Sequence, residues 1–169
     1  MIVTSDGRRL PTVTEKAIKG FFGEYRFLSN FHPCSVRIGE LTFPSSEHAY
    51  MAFKTLDPEV RKHIATLATP SEAKRFGRTL KLRPNWEALR IKAMRKVVVA
   101  KYTQNPDLAN LLLATSPKYL EETNDWGDEF WGTTVKEGRG TAGRNWLGVI
   151  TMGVRDQLRI GELKVILKD

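Results

Sequence analysis

The sequence holds a single cysteine, Cys34, among 169 residues, which excludes an internal disulfide. Beside Pro33 it reads as a packing residue. Its three histidines, His32, His48 and His63, fall into no metal-ligand spacing, so neither a zinc site nor another metal is expected. No apolar run approaches the roughly 20 residues needed to span a bilayer, and Met1 to Leu10 lacks a signal-peptide core. A cytoplasmic protein without a membrane partner is the expectation. Internal repeats and low-complexity linkers are missing too. The chain, 1–169, therefore reads as one domain, long enough to bury a substantial core.

What is present in excess is positive charge. Lys and Arg number 27 against 19 Asp and Glu, a formal net charge of +8, which favours anionic partners. Phosphorylated nucleotides, nucleic acid and simple solubility all fit that balance. Between Pro84 and Tyr102 an apolar stripe of Trp86, Leu89, Ala93, Val97 and Ala100 marks a long helix. Arg90, Lys92, Arg95, Lys96 and Lys101 are spread over its other faces. Charges dispersed in this way read as solvated surface rather than as a nucleic-acid track.

Hydrophobic residues make up 41% and charged residues 27% of the chain, as in soluble globular proteins. The patterning predicts an α+β fold, mainly helical with a small β-sheet. Asp6-Gly7 suggests an N-terminal hairpin, and Ala17 to Tyr25 reads as a strand. Val36 to Ile38 and Leu41 to Phe43 flank the two-residue turn Gly39-Glu40, which pairs Ile38 with Leu41 and Val36 with Phe43. Asp57-Pro58, Thr69-Pro70 and Asn105-Pro106 each join a capping residue to a first-turn proline, with Arg83-Pro84 a weaker helix start. Thr69 and Glu72 form a capping-box pattern. Tyr119 to Thr123 reads as a short strand, and the stretch from Asn124 to Arg144 as largely loop. A last helix has Asn145 as its cap, Leu147, Ile150, Val154 and Leu158 as its buried stripe, and Gly161 at its end. Val165 to Asp169 reads as a frayed tail.

The segment from Phe43 to Lys54 carries the densest chemistry. It reads as a strand end, a serine-capped turn and a helix on which Glu47, Tyr50 and Lys54 recur at i, i+3 and i+7 and so share one face. Glu47 lies in the first turn, where the helix dipole favours a carboxylate. Lys54 lies about 10 Å further along the axis at 1.5 Å per residue, too far for direct contact but suited to a small substrate between them. An exposed acidic cap with an unrelated surface lysine has the same spacing.

Leu28-Ser29-Asn30-Phe31, the Phe43 to Lys54 segment, Asp128-Glu129-Phe130-Trp131-Gly132 and Gly143-Arg144-Asn145-Trp146-Leu147-Gly148 occur in the order seen in the YbiA-like, or NADAR, family. The chain resembles that family from about Phe22 to Arg159. The resemblance implies N-glycosidase chemistry without a cofactor: hydrolysis between a ribose C1 and the exocyclic amine of a base-like ring. Family substrates are phosphoribosylamino-pyrimidine intermediates of riboflavin synthesis and guanine carrying ADP-ribose. A non-catalytic nucleotide-binding module is the reading from another class. The oligomeric state is left open.

The resemblance makes Glu47, Lys54 and Asp128 the catalytic candidates. Glu47 fits either a general acid, held protonated by desolvation, or an ionised stabiliser of an oxocarbenium-like centre. Lys54 fits either a Schiff-base nucleophile or a charged holder of phosphate. Asp128 would orient ribose hydroxyls or a water. Phe22, Ser29, Asn30, Phe31 and Tyr50 would line the site, and Trp131 would give the base a flat wall. Trp86 fits base stacking and core packing equally. Gly143, Arg144 and Asn145, at a helix start, would offer backbone N–H groups to a phosphate with Arg139 assisting. Met51 stands where relatives often carry glutamine, and the Thr133 to Ala142 loop looks longer than theirs. Trp126 has no secure counterpart.

Overall fold

In the computed structural model, which describes residues 1–136 and 140–166, short strands at both ends of the chain flank a run of helices. The elements begin with β1 (Ile2–Val3), β2 (Arg9–Leu10), β3 (Thr12–Val13), β4 (Ala17–Lys19), a 3-10 helix (Gly23–Leu28), β5 (Pro33–Ile38) and β6 (Leu41–Ser45). Helices α1 (Ser46–Ala52), α2 (Pro58–Thr66), α3 (Pro70–Thr79), α4 (Trp86–Gln104) and α5 (Pro106–Ala114) follow. Then come β7 (Tyr119–Glu121), β8 (Thr123–Asn124), β9 (Thr133–Lys136), β10 (Gly140–Ala142) and α6 (Trp146–Arg159). The fold is α+β, but its β-structure is divided among four sheets of two or three strands in the described residues, not gathered into one.

The chain divides into two compact units. The first comprises Met1–Ser29 and Asn110–Leu163. In it β1 pairs with β2 across a turn closed by Gly7 (φ 78), β4 pairs antiparallel with β3 and parallel with β7, and β9 lies between β8 and β10. α6 packs on β7 and buries Leu147, Ile150 and Val154 of the stripe expected from its periodicity, with Leu158 half-buried near the helix end. Gly161, with φ 79, ends the helix as expected.

The second unit comprises Asn30–Ala109 and residues 164–166. β5 and β6 form the hairpin read from the sequence, with Ile38 opposite Leu41, Val36 opposite Phe43 and Gly39 at φ 60. α1 packs against α2, α3 and α4, while β5 lies on α4. Proline starts α2 and α3. The Asp57 carboxylate accepts from the N–H groups of Glu59 and Val60, and the Thr69 hydroxyl accepts from that of Glu72. Ile166 donates its N–H to the Thr103 carbonyl at 2.6 Å, so the expected frayed tail is attached at least that far. Residues 167–169 lie outside the described residues.

Several boundaries differ from expectation. The strand expected over Ala17 to Tyr25 stops at Lys19, because Gly20 turns the chain at φ 89 and a 3-10 helix takes over at Gly23. The stretch from Asn124 to Arg144 contains β9 and β10; a run such as Thr133-Thr134-Val135-Lys136 carries β propensity, which the surrounding glycines obscured. Arg83-Pro84 does not open α4. That helix begins at Trp86 after Asn85 in the left-handed conformation (φ 58), with no side-chain cap. Asn105 spends its side-chain amide on the carbonyls of Ser35 and Lys101, both at 2.8 Å.

Candidate active site

The second unit builds its site outward from the start of α1. Ser45 leaves β6 in an extended conformation and its Oγ accepts the His48 N–H at 3.3 Å, which caps the helix. The His48 ring returns to the same hydroxyl, with Nδ1 2.7 Å from Ser45 Oγ and Nε2 3.1 Å from the Leu67 carbonyl. A carbonyl can only accept, so Nε2 carries the proton and Nδ1 accepts from the serine. Burial lowers the His48 pKa and favours this neutral tautomer.

Glu47 occupies the first turn, 6% exposed, and its N–H donates to the Asn30 carbonyl at 3.0 Å. Every residue of α1 is buried, which removes the reading of Glu47 as an exposed helix-end charge. Asn30 itself is buried and its amide donates to Met94 Sδ at 3.3 Å. Asn30 therefore fixes Glu47 through its backbone while its side chain is committed to α4.

The shared helical face does not reach Lys54. α1 ends at Ala52, and Lys54 lies in the following turn with its N–H on the Met51 carbonyl at 3.1 Å. From there Lys54 Nζ reaches the Gly77 carbonyl in the last turn of α3 at 3.3 Å. The packing of α1 on α3 beside this contact depends on Gly77 lacking a side chain, since a Cβ there would lie 2.2 Å from Met51 Sδ. Met51 is thus a packing residue between α1 and α3. Burial lowers the Lys54 pKa below the ordinary lysine range; the Glu47 charge opposes this, while Arg78 and Lys74 lower it further. The Glu47 charge is thus felt at the Lys54 amine, although α1 ends before Lys54.

Around this pair, Phe31 lies under the Lys74 ammonium, 5.5 Å from ring centroid to nitrogen. The Tyr50 and Trp86 rings are tilted against each other at 5.5 Å. Both are buried, at 4% and 6% exposure. Trp86 therefore serves as core here, and no open face is left for a stacked base.

The first unit holds the remaining candidates. Asp128 Oδ1 accepts from the N–H groups of Phe130 and Trp131 at 3.1 and 2.9 Å, so one carboxylate oxygen is committed to shaping the turn that presents Trp131. Asn124 staples that turn. Its Nδ2 donates to the carbonyls of Asp128 and Thr133, and its Oδ1 accepts from Asp128 N–H and Thr134 Oγ1, at 2.8 to 3.2 Å. Trp131 is half-buried, edge-on to Phe130 at 4.8 Å. Phe22 meets the exposed Trp126 edge-on at 6.4 Å, and Arg9 stacks on Trp126 while paired with Asp125. Ser29 ends the 3-10 helix with its N–H on the Arg26 carbonyl.

The expected phosphate cradle at Gly143, Arg144 and Asn145 is corrected. The N–H groups of Arg144, Asn145, Trp146 and Leu147 donate to the carbonyls of Glu129, Gly132, Phe130 and Trp131 at 2.8 to 3.2 Å, which leaves none of these four for an anion. Gly143 allows that close approach, as a Cβ there would meet the Gly132 oxygen at 2.3 Å. Asn145 takes the left-handed conformation and does not cap α6. Its side chain bonds to Tyr119 Oη, the Leu120 carbonyl and the Glu122 N–H. The Arg144 guanidinium lies over the Phe130 ring at 5.7 Å. Arg139 lies outside the described residues.

Sequence reasoning passed over His48, Lys74, Arg78 and Asn124. Ser-x-x-His over 45–48 is legible as a capping-box analogue. The i, i+4 pair Lys74 and Arg78 was visible but had nothing to point at until Lys54 was seen to reach α3.

A family model described as the NADAR domain matches residues 19–159. The N-glycosidase YbiA of Escherichia coli (strain K12) is 36% identical over 158 residues, covering 90% of this chain and 96% of that protein. A riboflavin biosynthesis protein of Vibrio vulnificus is 38% identical over 135 residues, 79% of this chain but 35% of the relative. The NMR structure of E. coli YbiA superposes with a TM-score of 0.76 at 34% identity, covering 92% of each chain.

Proposed function

Because the chain belongs to the NADAR domain family, with the N-glycosidase activity that such kinship supports in general, we propose that its substrate is a phosphorylated ribosyl-amine of a pyrimidine-type base. The observation that carries this reading is the coupling of a buried Glu47 to a Lys54 whose pKa is lowered. Similarity to riboflavin biosynthesis proteins of Vibrio vulnificus and Zea mays supports the pyrimidine class.

The reaction follows from these two groups. Protonation of the ribose ring oxygen, with Glu47 as the acid, breaks the C1–O bond and leaves a protonated imine between C1 and the base nitrogen. The neutral Lys54 amine adds to C1, a proton passes to the base nitrogen, and the base leaves as its free amine. Water then adds to C1 of the lysine imine, Lys54 is released and the sugar closes again. A lowered lysine pKa raises the fraction of free amine available for the second step.

The test sets a phosphoribosylamino-pyrimidine beside an ADP-ribosylated guanine oligonucleotide, each with borohydride added during turnover. Faster hydrolysis of the pyrimidine, with a reduced sugar adduct on Lys54 by mass spectrometry, is expected. Preference for the oligonucleotide would move the substrate to ADP-ribosyl-guanine. Turnover of the pyrimidine without an adduct on Lys54 would leave that residue an electrostatic role.

A further inference from the structure

With the backbone N–H groups of residues 144–147 committed to carbonyls, the phosphate of such a substrate needs another receptor. We propose that the face of α3 carrying Lys74 and Arg78, together with Arg83, is the subsite for the phosphate on the substrate's ribose. This rests on the phosphorylated ribosyl-amine reading above. Lys74 and Arg78 are one turn apart on a single helix face, and Gly77, which takes the Lys54 ammonium, lies in the same turn. The Lys74 nitrogen is held over the Phe31 ring, so its charge has a fixed position without a carboxylate partner. Among the described residues neither Lys74 nor Arg78 forms an ion pair.

An independent sign of a missing acceptor comes from Arg83. Its backbone N–H donates to the Lys54 carbonyl at 2.8 Å, and its Nε is buried with no hydrogen-bond partner in the structure. A buried guanidinium donor ordinarily has an acceptor, and phosphate oxygens match its geometry. Like-charged side chains one helical turn apart repel one another, and the dianion of a ribose phosphate relieves that repulsion when it binds.

Two measurements decide the matter. In the first, ribose 5-phosphate and ribose are titrated into the wild-type chain and into Lys74→Met, Arg78→Met and Arg83→Met, substitutions that keep an apolar stem. The wild type is expected to prefer the phosphorylated sugar by about tenfold or more, the scale of one or two charge-assisted hydrogen bonds. Each variant should lose several-fold of that preference. In the second, kcat/KM is compared for phosphorylated and dephosphorylated substrate. The ratio should fall in the variants, and taking the ratio cancels any change at the Lys54 amine, which both substrates use. An unchanged preference in all three variants, or its loss in Arg144→Met instead, overturns the proposal. If the wild type hydrolyses no N-glycoside, the functional reading fails, whereas the titration still decides whether α3 binds phosphate.

Discussion

At the scale of single residues, the proposed function rests on Glu47 and Lys54, and the Glu47 charge raises the proton affinity of the Lys54 amine. Glu47→Gln keeps the volume and removes the acid, so turnover should drop by about 10²- to 10⁴-fold, the usual contribution of a general acid. The same change removes the one interaction that raises the Lys54 pKa. The residual pH–rate profile should therefore begin its ascent at lower pH than in the wild type, because the free amine appears earlier. A wild-type rate in Glu47→Gln would reduce Glu47 to a buried structural charge. Its chemistry was legible from its position in the first turn of a capped helix. The full burial was not, because a single sequence gives no sign that α2, α3, α4, β5 and β6 all pack on a seven-residue helix.

Among elements, the β6–α1 junction is tied down by His48, whose ring bonds to Ser45 and to the Leu67 carbonyl. Replacing His48 with Ala leaves the Leu67 carbonyl without its ring donor and the Ser45 hydroxyl proton without its ring acceptor, while the backbone N–H at that position still caps onto Ser45 Oγ; each group left unsatisfied costs about 1–3 kcal/mol. The pH dependence has a definite sign. The folded-state pKa lies below the ordinary 6.5, so between the two values the unfolded chain binds more protons and stability rises with pH. The wild type should lose stability as pH falls below about 6.5, and His48→Ala should lose less over the same interval. Urea midpoints across that range measure it; parallel curves for the two proteins would refute the lowered pKa of His48. The hairpin over 33–45 and the caps of α2 and α3 could be read in advance because turn chemistry and capping are local. The end of α1 was not legible. Where it stops depends on α3 receiving Lys54, a contact between residues 23 positions apart. Asn145 misled for a related reason. Its capping chemistry is local, yet its side chain is consumed by β7 and the residue that follows it.

For the molecule as a whole, the net charge of +8 poses the question of nucleic acid. The basic residues of α4 include Arg90, paired with Glu87 on its own helix, and the exposed Lys92 and Arg95. A substrate with one phosphate engages only the few charges of a single subsite and carries no polyelectrolyte counterion atmosphere. From about 50 to about 200 mM salt, kcat/KM should fall by roughly tenfold or less, against about 10³-fold or more when six or more phosphates are contacted. Joint neutralisation of Arg90, Lys92 and Arg95 should leave that slope as it is. A steep slope on an oligonucleotide, lost with those three charges, would reverse the ranking of substrates.

Asn124 has a bearing on how the protein ages. Two hydrogen bonds of its amide go to Asp128 and two to Thr133 and Thr134 of β9, so they close the turn that carries Asp128 and Trp131. Deamidation would turn the nitrogen that donates to two carbonyls into an oxygen that can only accept, so contacts that now attract would repel. The lesion begins when the side-chain carbonyl is attacked by the backbone nitrogen of the next residue, Asp125, and the bonds that make Asn124 necessary also hold that carbonyl in place. A turn secured in this way wears out by chemistry rather than by unfolding, at a rate set by how often one side chain lets go.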